Sequence, residues 1–342
     1  MRDTPRLQLI ADFPDQQITG LAVSSEGRIF VNLPRWTVDV PVSVGEVVNG
    51  RITPFPNREW NAWSNLRPLA PDRHFVCVQS VVMDAQGNLW VLDPASPGQM
   101  GPVPGGPKLV KIDLRTNEVA AVIPFDQTVA IPGSYLNDIR FSPDGRWGYL
   151  TDSGIRGSLV VIDLRSGEAR RVLDGHPSTQ VERGVIPRVD GRELRRPDNR
   201  EPQFAADGIA LSPDGATLYW QALTGRTLYS VPTAVLQDPV RSANAGAVVR
   251  RVGTTHVADG LWLDRAGRFF VSNPEQSSVE TAAAPGAPLT TLVRDPRLRW
   301  PDSFAQSADG AIYVSASHIQ DSPWFKPQVK LTPSQIWKIS SR

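Results

Sequence analysis

Cysteine is almost absent from this chain of 342 residues, which has Cys77 alone, so no internal disulfide can stabilise it. Cys77 lies in the apolar run 75–78, where a buried strand thiol is the ordinary interpretation. Long apolar runs are missing too, and none approaches the roughly 20 residues that cross a bilayer. We therefore expect no membrane span and no membrane partner.

An excess of charge is also missing, because Lys and Arg number 36 and Asp and Glu number 35. The formal net charge of +1 argues against a nucleic-acid partner, since phosphates require a basic surface. The common catalytic signatures are absent as well: there is no Gly-x-Ser-x-Gly elbow, no Walker loop, no dinucleotide-binding glycine motif and no His-Glu-x-x-His. Any catalytic site must therefore be inferred from the fold.

Six stretches share one pattern: a polar residue, an alternating strand, a turn with glycine, and a second strand. The pattern predicts a β-hairpin in each copy. The turn glycines are Gly27, Gly87, Gly145, Gly215, Gly267 and Gly310. Because the unit recurs every 43 to 70 residues and is followed by material for further strands, the sequence predicts an all-β fold, a six-bladed β-propeller.

The two ends of the chain complete the predicted ring of blades. The sixth hairpin is followed by one more strand, residues 334–340, and the missing outer strand is available as residues 6–13. A last blade built from both ends hides a sheet edge that would otherwise be exposed. We interpret residues 1–342 as a single propeller, expected to be a monomer, with residues 174–205 as a long polar insert.

One polar position recurs eight residues before each turn glycine. These ring residues are Thr19, Gln79, Asn137, Asp207, Asp259 and Asp302. The innermost strand of each blade runs beside the central channel, so we expect the six side chains to meet at one mouth of it. Three carboxylates close together repel one another and need raised pKa values, hydrogen-bond donors or a bound cation.

Two interpretations of the ring are open. In the structural one, the aspartates cap backbone N–H groups or pair between blades. In the functional one, the ring floors a pocket for a small molecule, with Asp207, Asp259 and Asp302 as candidate catalytic groups. The same pocket could hold Ca²⁺ or another divalent cation through Asn137, Asp207 and Asp259.

Further candidates lie near the ring in the sequence. His256 precedes Asp259 by three residues and is a candidate general base. The other candidate ligand-binding residues are Asp138, Asn273 and His318, besides the ring members Thr19, Gln79 and Asn137. For each histidine, a structural or surface position is the competing interpretation.

Four stretches carry a family resemblance: YLNDIRFSPDGRWGYLTDSG (135–154), FAADGIALSPDGATLYWQAL (204–223), VADGLWLDRAGRFFV (257–271) and LRWPDSFAQSADGAIYVSAS (298–317). They resemble the yellow/major royal jelly protein family and its dopachrome-tautomerase-related members. The resemblance implies a six-bladed propeller whose central cavity binds small aromatic amines, and a proton-moving tautomerisation. It also implies a secreted or periplasmic protein whose leader has been removed; the polar start implies a cytoplasmic one if the sequence is complete as written.

More distantly, the chain resembles the senescence-marker/gluconolactonase group, which holds a divalent cation in the channel and hydrolyses lactones. That resemblance places its two Asn ligands on Asn137 and Asp207, and its Asp ligand on Asp259. Its Glu ligand falls on Thr19, which cannot supply a charge. Three functions are thus open: a pocket that binds and isomerises a small metabolite, a metal-dependent lactonase, and a binding or scaffold propeller without turnover.

Overall fold

The computed structural model describes residues 6–38, 40–329 and 332–340. Its main feature is six antiparallel sheets of four strands each. The innermost strand of each sheet contacts the innermost strands of both neighbouring sheets, and these contacts form a closed cycle. The sheets are therefore the blades of a six-bladed β-propeller, which confirms the predicted fold.

Each blade is numbered in chain order, and its strands run from the channel outward. The strands are Leu21–Val23, Ile29–Asn32, Val44–Val48 and Arg51–Pro54 in blade 1; Ser80–Met83, Asn88–Asp93, Lys108–Asp113 and Glu118–Pro124 in blade 2; Leu136–Phe141, Trp147–Asp152, Ser158–Asp163 and Ala169–Val172 in blade 3; Ala206–Leu211, Thr217–Ala222, Thr227–Pro232 and Arg250–Thr254 in blade 4; Leu261–Leu263, Phe269–Asn273, Ser278–Ala282 and Thr290–Arg294 in blade 5; and Pro301–Gln306, Ile312–Ala316, Ser334–Ser340 and Arg6–Phe13 in blade 6.

Glycine explains the hairpin turns. All six turn glycines have a positive φ, between 69° and 85°, which residues with a side chain rarely adopt. In blade 1 the outer strands are joined at Asn49-Gly50, where φ is 51° and 74°. Two successive positive φ values are those of a type I′ turn, whose twist matches that of the flanking strands.

Blade 6 joins the two ends of the chain. Strand Arg6–Phe13 pairs antiparallel with Ser334–Ser340, which pairs in turn with Ile312–Ala316. Phe13 is buried at the end of this outer strand, where it lies opposite Ser334. The predicted closure by residues 6–13 and 334–340 is confirmed.

Apolar side chains fill the space between neighbouring blades. Tyr149 of blade 3 packs with Ile209 and Trp220 of blade 4, and all three are fully buried. Burial of a large apolar side chain contributes roughly 1.5–3 kcal/mol relative to its exposure. Cys77 is also buried, in a smaller cluster with Trp63, and burial raises the pKa of its thiol. The thiol is buried as expected, but Cys77 lies in a bend before strand Ser80–Met83 and not in a strand.

Segment 174–205 connects blades 3 and 4. It contains the 3-10 helix Pro177–Thr179 and a small hairpin of strands Arg188–Val189 and Arg192–Glu193. Val189 is buried in an apolar cluster that also contains Trp300, just before blade 6. The segment therefore packs on the propeller instead of extending from it.

The helices are few and short. They are Thr233–Gln237 and Pro239–Ser242, with 3-10 turns at Pro97–Gln99, Ala245–Val248 and Ile319–Asp321. Within the described parts of the chain, no helix has the length and apolar character needed to cross a membrane.

Candidate functional site

The six ring residues line one cavity at an end of the channel, called here the ring cavity. Their side chains come from all six blades, one from each, at or just before the innermost strand. Thr19, Asp207, Asp302 and Asn137 are 1%, 4%, 7% and 8% exposed. The repeat alignment therefore identified residues that the fold brings together.

Bulges and glycines position the ring side chains. In blades 3, 4 and 6 the pairing of the two inner strands shifts register at the ring residue, as at a β-bulge. Gly208 and Gly260 follow Asp207 and Asp259, and a Cβ at either would lie within 2.6 Å of a carbonyl oxygen of the next blade. The Asp-Gly pairs thus let neighbouring blades approach closely, which draws the carboxyls together.

One half of the ring is a directed chain of hydrogen bonds. Trp36 Nε1 donates to the Tyr135 hydroxyl at 2.8 Å, and that hydroxyl donates to Gln79 Oε1 at 2.7 Å. Gln79 Nε2 then donates to Asn137 Oδ1 at 3.2 Å, and Asn137 Nδ2 to Ser153 Oγ at 3.0 Å. Each amide has one orientation that satisfies this chain, so this half of the ring is neutral and fixed.

The other half is acidic. Asp259 Oδ2 accepts from Trp300 Nε1 at 2.6 Å. Asp302 accepts from Ser317 Oγ at 2.8 Å and from Ser303 Oγ at 3.2 Å. Asp207 and Asp302 also lie within hydrogen-bonding reach of Asp259, so the three carboxyls form one connected cluster.

The pKa values of the three carboxyls rise together. Burial raises the pKa of Asp207 well above its ordinary range, and the charges of Asp259 and Asp302 raise it further. Burial and the charge of Asp259 likewise raise the pKa of Asp302. Burial also raises the pKa of Asp259, but only to about 6. Hydrogen bonds from Trp300 and the two neighbouring carboxyls stabilise its ionised form and so limit the rise. Asp259 therefore ionises before Asp207 and Asp302, and its charge opposes the ionisation of those two carboxyls.

Two tryptophan rings lie at this cavity. Trp36 and Trp324 line it, with their ring centroids 4.3 Å apart and their planes inclined by 43°. The space left for a water-sized molecule is about 30 Å³, enough for one or two waters. A larger ligand needs more space than this, so side chains that line the cavity must move before it can bind.

Four candidate residues do not line the ring cavity. His256 lines a separate pocket between blades 4 and 5, and its carbonyl accepts from Gln221 Nε2. Asn273 is 2% exposed, and its Oδ1 accepts from the backbone N–H of Gln276 at 3.2 Å. In this structure His256 therefore does not line the ring cavity.

The other two candidates outside the ring cavity, His318 and Asp138, bind neighbouring side chains. His318 Nε2 is 2.9 Å from Gln335 Oε1, and its Nδ1 is 3.4 Å from Asp321 Oδ2. Asp138 pairs with Arg140 at 2.8 Å and accepts from Ser80 Oγ at 2.7 Å. It lines a second cavity farther along the channel.

The aromatic lining was missed from the sequence. Besides the tryptophan pair, Tyr135 and Phe204 line the ring cavity. The sequence does carry a signal for Tyr135 and Phe204, which stand two and three residues before the ring positions Asn137 and Asp207. Trp300, which donates to Asp259, stands two residues before Asp302 in the same way. An aromatic residue just upstream of a polar ring position is thus a local mark of the site.

The ring offers an incomplete set of cation ligands. Asn137, Asp207 and Asp259 all line the cavity, but Asn137 Oδ1 accepts from Gln79 and the Thr19 hydroxyl accepts from Asn32 Nδ2. Across the described residues, no three His, Cys, Asp or Glu side chains are grouped so that they could hold a metal ion. Ca²⁺ takes six to eight oxygen ligands, so these side chains alone do not complete its coordination.

The fold and the ring together define a six-bladed propeller with a polar, carboxyl-bearing cavity at one end of its channel. A family model described as major royal jelly protein matches residues 76–321, well over half of the chain. The chain belongs to the major royal jelly protein family, as the sequence resemblance indicated.

Individual relatives are more distant. Major royal jelly protein 5 of Apis mellifera is 25% identical over 232 residues, which is 64% of this chain and 36% of that protein. The chain thus spans about a third of the length of that relative.

Solved structures share the fold. A gluconolactonase from Xanthomonas campestris matches with a TM-score of 0.60 at 13% identity, covering 99% of this chain and 90% of that one. The calcium-binding protein regucalcin from Agrobacterium tumefaciens matches with a TM-score of 0.53 at 14% identity, covering 98% and 96%. At such identities the likeness shows the fold alone.

Proposed function

We propose that this propeller binds a small aromatic or polar metabolite in the ring cavity and isomerises it by proton transfer, as a dopachrome tautomerase does. One observation carries the proposal: Asp207, Asp259 and Asp302, from three consecutive blades, form a connected carboxyl cluster inside one cavity. A structural cap would need one carboxyl at a time and would not need three in one cavity.

The cluster has both functions that a tautomerisation requires. The reaction moves a proton from one atom of the substrate to another, so it consumes no oxidant or reductant. Asp259, with a pKa of about 6, is ionised at neutral pH and suited to accept the proton. Asp207 or Asp302, whose pKa is raised by burial and by the charge of Asp259, donates one to the second atom, and the proton returns from Asp259 through the hydrogen bonds within the cluster.

The lining indicates the class of substrate. Trp36, Tyr135, Phe204 and Trp324 present aromatic surface beside the carboxylate of Asp259. Aromatic faces favour stacked rings and cationic groups, and the carboxylate favours a positive charge. An aromatic amine has both features.

The test begins with the metal content of the purified protein by mass spectrometry, followed by a thermal-shift screen of aromatic amines and catechols. Dopachrome decay is then followed by absorbance for the wild type, Asp259→Asn and the control Asp214→Asn, an exposed turn residue of blade 4. We expect Asp259→Asn to slow the reaction by about 100-fold or more, and the control to match the wild type.

Each alternative function has its own outcome. Equal rates in all three proteins would overturn the acid–base proposal. Ligand binding without turnover would indicate a binding propeller. Stoichiometric metal with lactone hydrolysis that EDTA abolishes would indicate a cation-dependent lactonase, with Asn137, Asp207 and Asp259 among its ligands.

A further inference from the structure

A second cavity, called here the lower cavity, lies farther along the channel. Its walls come from the innermost strands of blades 1, 2, 3, 5 and 6 and include Asp138, Arg140 and Trp262. No ring residue lines it, so it is separate from the ring cavity. Its space is about 50 Å³, enough for one small ion or a few waters.

Two buried hydrogen-bond donors belong to side chains that line this cavity and have no partner among the described residues. They are Arg140 Nε, in blade 3, and Trp262 Nε1, in blade 5; neither finds an acceptor among the described residues. Buried donors are rarely left unsatisfied in folded proteins, and each exception requires an explanation such as a bound water or ion. Both belong to side chains in the wall of one cavity, which indicates a common acceptor.

The guanidinium is held in place by its other nitrogens. Arg140 Nη1 donates to the carbonyl of Ile139 at 2.7 Å and pairs with Asp138 Oδ2 at 2.8 Å. Nη2 donates to the carbonyl of Leu261 at 3.1 Å, across the channel. The guanidinium centre lies 5.4 Å from the centroid of the Trp262 ring. These contacts fix the group and leave the Nε proton unused.

The surroundings define the missing acceptor. One donor belongs to a cation, which favours a negative charge. Asp138 carries one negative charge and pairs with the same guanidinium, which disfavours a divalent anion such as sulfate or phosphate. The other walls include apolar side chains such as Leu21, Val81 and Phe304, which suit a weakly hydrated ion.

We propose that the lower cavity binds one small monovalent anion, of the size of chloride or bromide, between Arg140 Nε and Trp262 Nε1. The anion bridges blades 3 and 5 across the channel and so stabilises the closed ring of blades. This site is independent of the chemistry proposed for the ring cavity.

Crystals of the full chain grown or soaked in sodium bromide test the proposal directly. We expect one bromide anomalous peak within hydrogen-bonding distance of both nitrogens. In parallel, thermal unfolding is followed as methanesulfonate is replaced by chloride or bromide at constant ionic strength. The unfolding midpoint of the wild type should rise with halide concentration and then level off. Trp262→Phe should need at least tenfold more halide to reach the same rise.

Trp337→Phe is the matched control. Trp337 also has a buried Nε1 that finds no acceptor within the described parts of the chain, and Arg297 Cζ lies 4.8 Å from its ring centroid. Trp337 lies on the third strand of blade 6, outside the channel. We expect this variant to keep the wild-type halide response. Water instead of bromide at the two nitrogens would overturn the proposal. The proposal would also be overturned if halide raised the unfolding midpoint equally, and at the same concentration, in the wild type and both variants. That result would indicate an adventitious ion only.

Discussion

The indole nitrogen of Trp300 lies 2.6 Å from Oδ2 of Asp259, although the two residues lead into neighbouring blades. Trp300 is fully buried, so no water competes for this hydrogen bond. The bond stabilises the ionised form of Asp259 and opposes the effect of burial on its pKa. Trp300 thereby helps to determine which of the three clustered carboxyls is ionised at neutral pH.

Trp300→Phe should raise the pKa of Asp259 above its value of about 6. The substitution keeps an aromatic ring but removes the donor, and a hydrogen bond to a charged group corresponds to roughly one pKa unit or more. Carboxyl ¹³C chemical shifts followed against pH measure the change. Trp220→Phe, which removes a buried bond to the carbonyl of Ser178, is the control. An unchanged titration of Asp259 in Trp300→Phe would refute the role given to the indole.

Asp259→Asn should stabilise the protein at pH 8 and leave its stability near pH 4 almost unchanged. The pKa of Asp259 rises from 3.8 to about 6 on folding. The native state therefore loses stability as the pH increases from 3.8 to 6, because it must ionise a group that the unfolded chain ionises freely. The shift corresponds to about 3 kcal/mol. Urea unfolding at the two pH values measures the difference.

Asp93→Asn is the same substitution in the opposite environment and serves as the control. Asp93 is fully buried and pairs with Lys108 Nζ at 2.8 Å, while it also accepts the N–H groups of Val76 and Cys77. Its loss leaves a buried ammonium without a counter-ion, which costs roughly 3–5 kcal/mol. We expect Asp93→Asn to destabilise the protein at pH 8. If both variants lost stability alike, the ring carboxyl would be structural.

Trp324→Ala should speed the entry of an aromatic amine into the ring cavity. Trp324 packs on Trp36 beside a space of about 30 Å³, which is too small for an aromatic ring, and its removal enlarges that space. With dopamine as the probe, stopped-flow fluorescence should show association at least about tenfold faster, with faster dissociation as well. Trp60→Ala, which removes a ring packed on Phe75 away from the cavity, is the control. Equal association rates in both variants would show that the tryptophan pair does not limit entry.

The fold could be predicted from the sequence because its repeat is local. A turn glycine at a positive φ marks each hairpin, and a polar residue eight positions earlier marks the start of the inner strand. Both signals recur six times, so insertions between them do not hide the period. The same alignment predicts that Asp207, Asp259 and Asp302 lie together, and all three line the ring cavity.

The cover of the cavity could not be predicted in this way. Trp36 and Trp324 lie in irregular segments outside the repeat, and only the closure of the ring brings them within 4.3 Å. Proximity in sequence also misled the interpretation of His256. It stands three residues before Asp259, yet the chain reverses between the outer strand of one blade and the inner strand of the next, which separates the two side chains.

Removal of residues 1–13 should destabilise the propeller and promote association. Strand Arg6–Phe13 pairs with Ser334–Ser340, so its loss exposes the full edge of that strand. The loss of Phe13 also exposes the apolar residues of its cluster, such as Ile336. We expect the unfolding midpoint to fall by roughly 10 °C or more, and oligomers to appear in size-exclusion chromatography. A chain that lacks only residues 1–5 keeps the strand and should match the full protein. If the longer deletion kept the midpoint and elution volume of the shorter one, closure by this strand would contribute little to stability, and the remaining contacts between the blades would hold the ring closed.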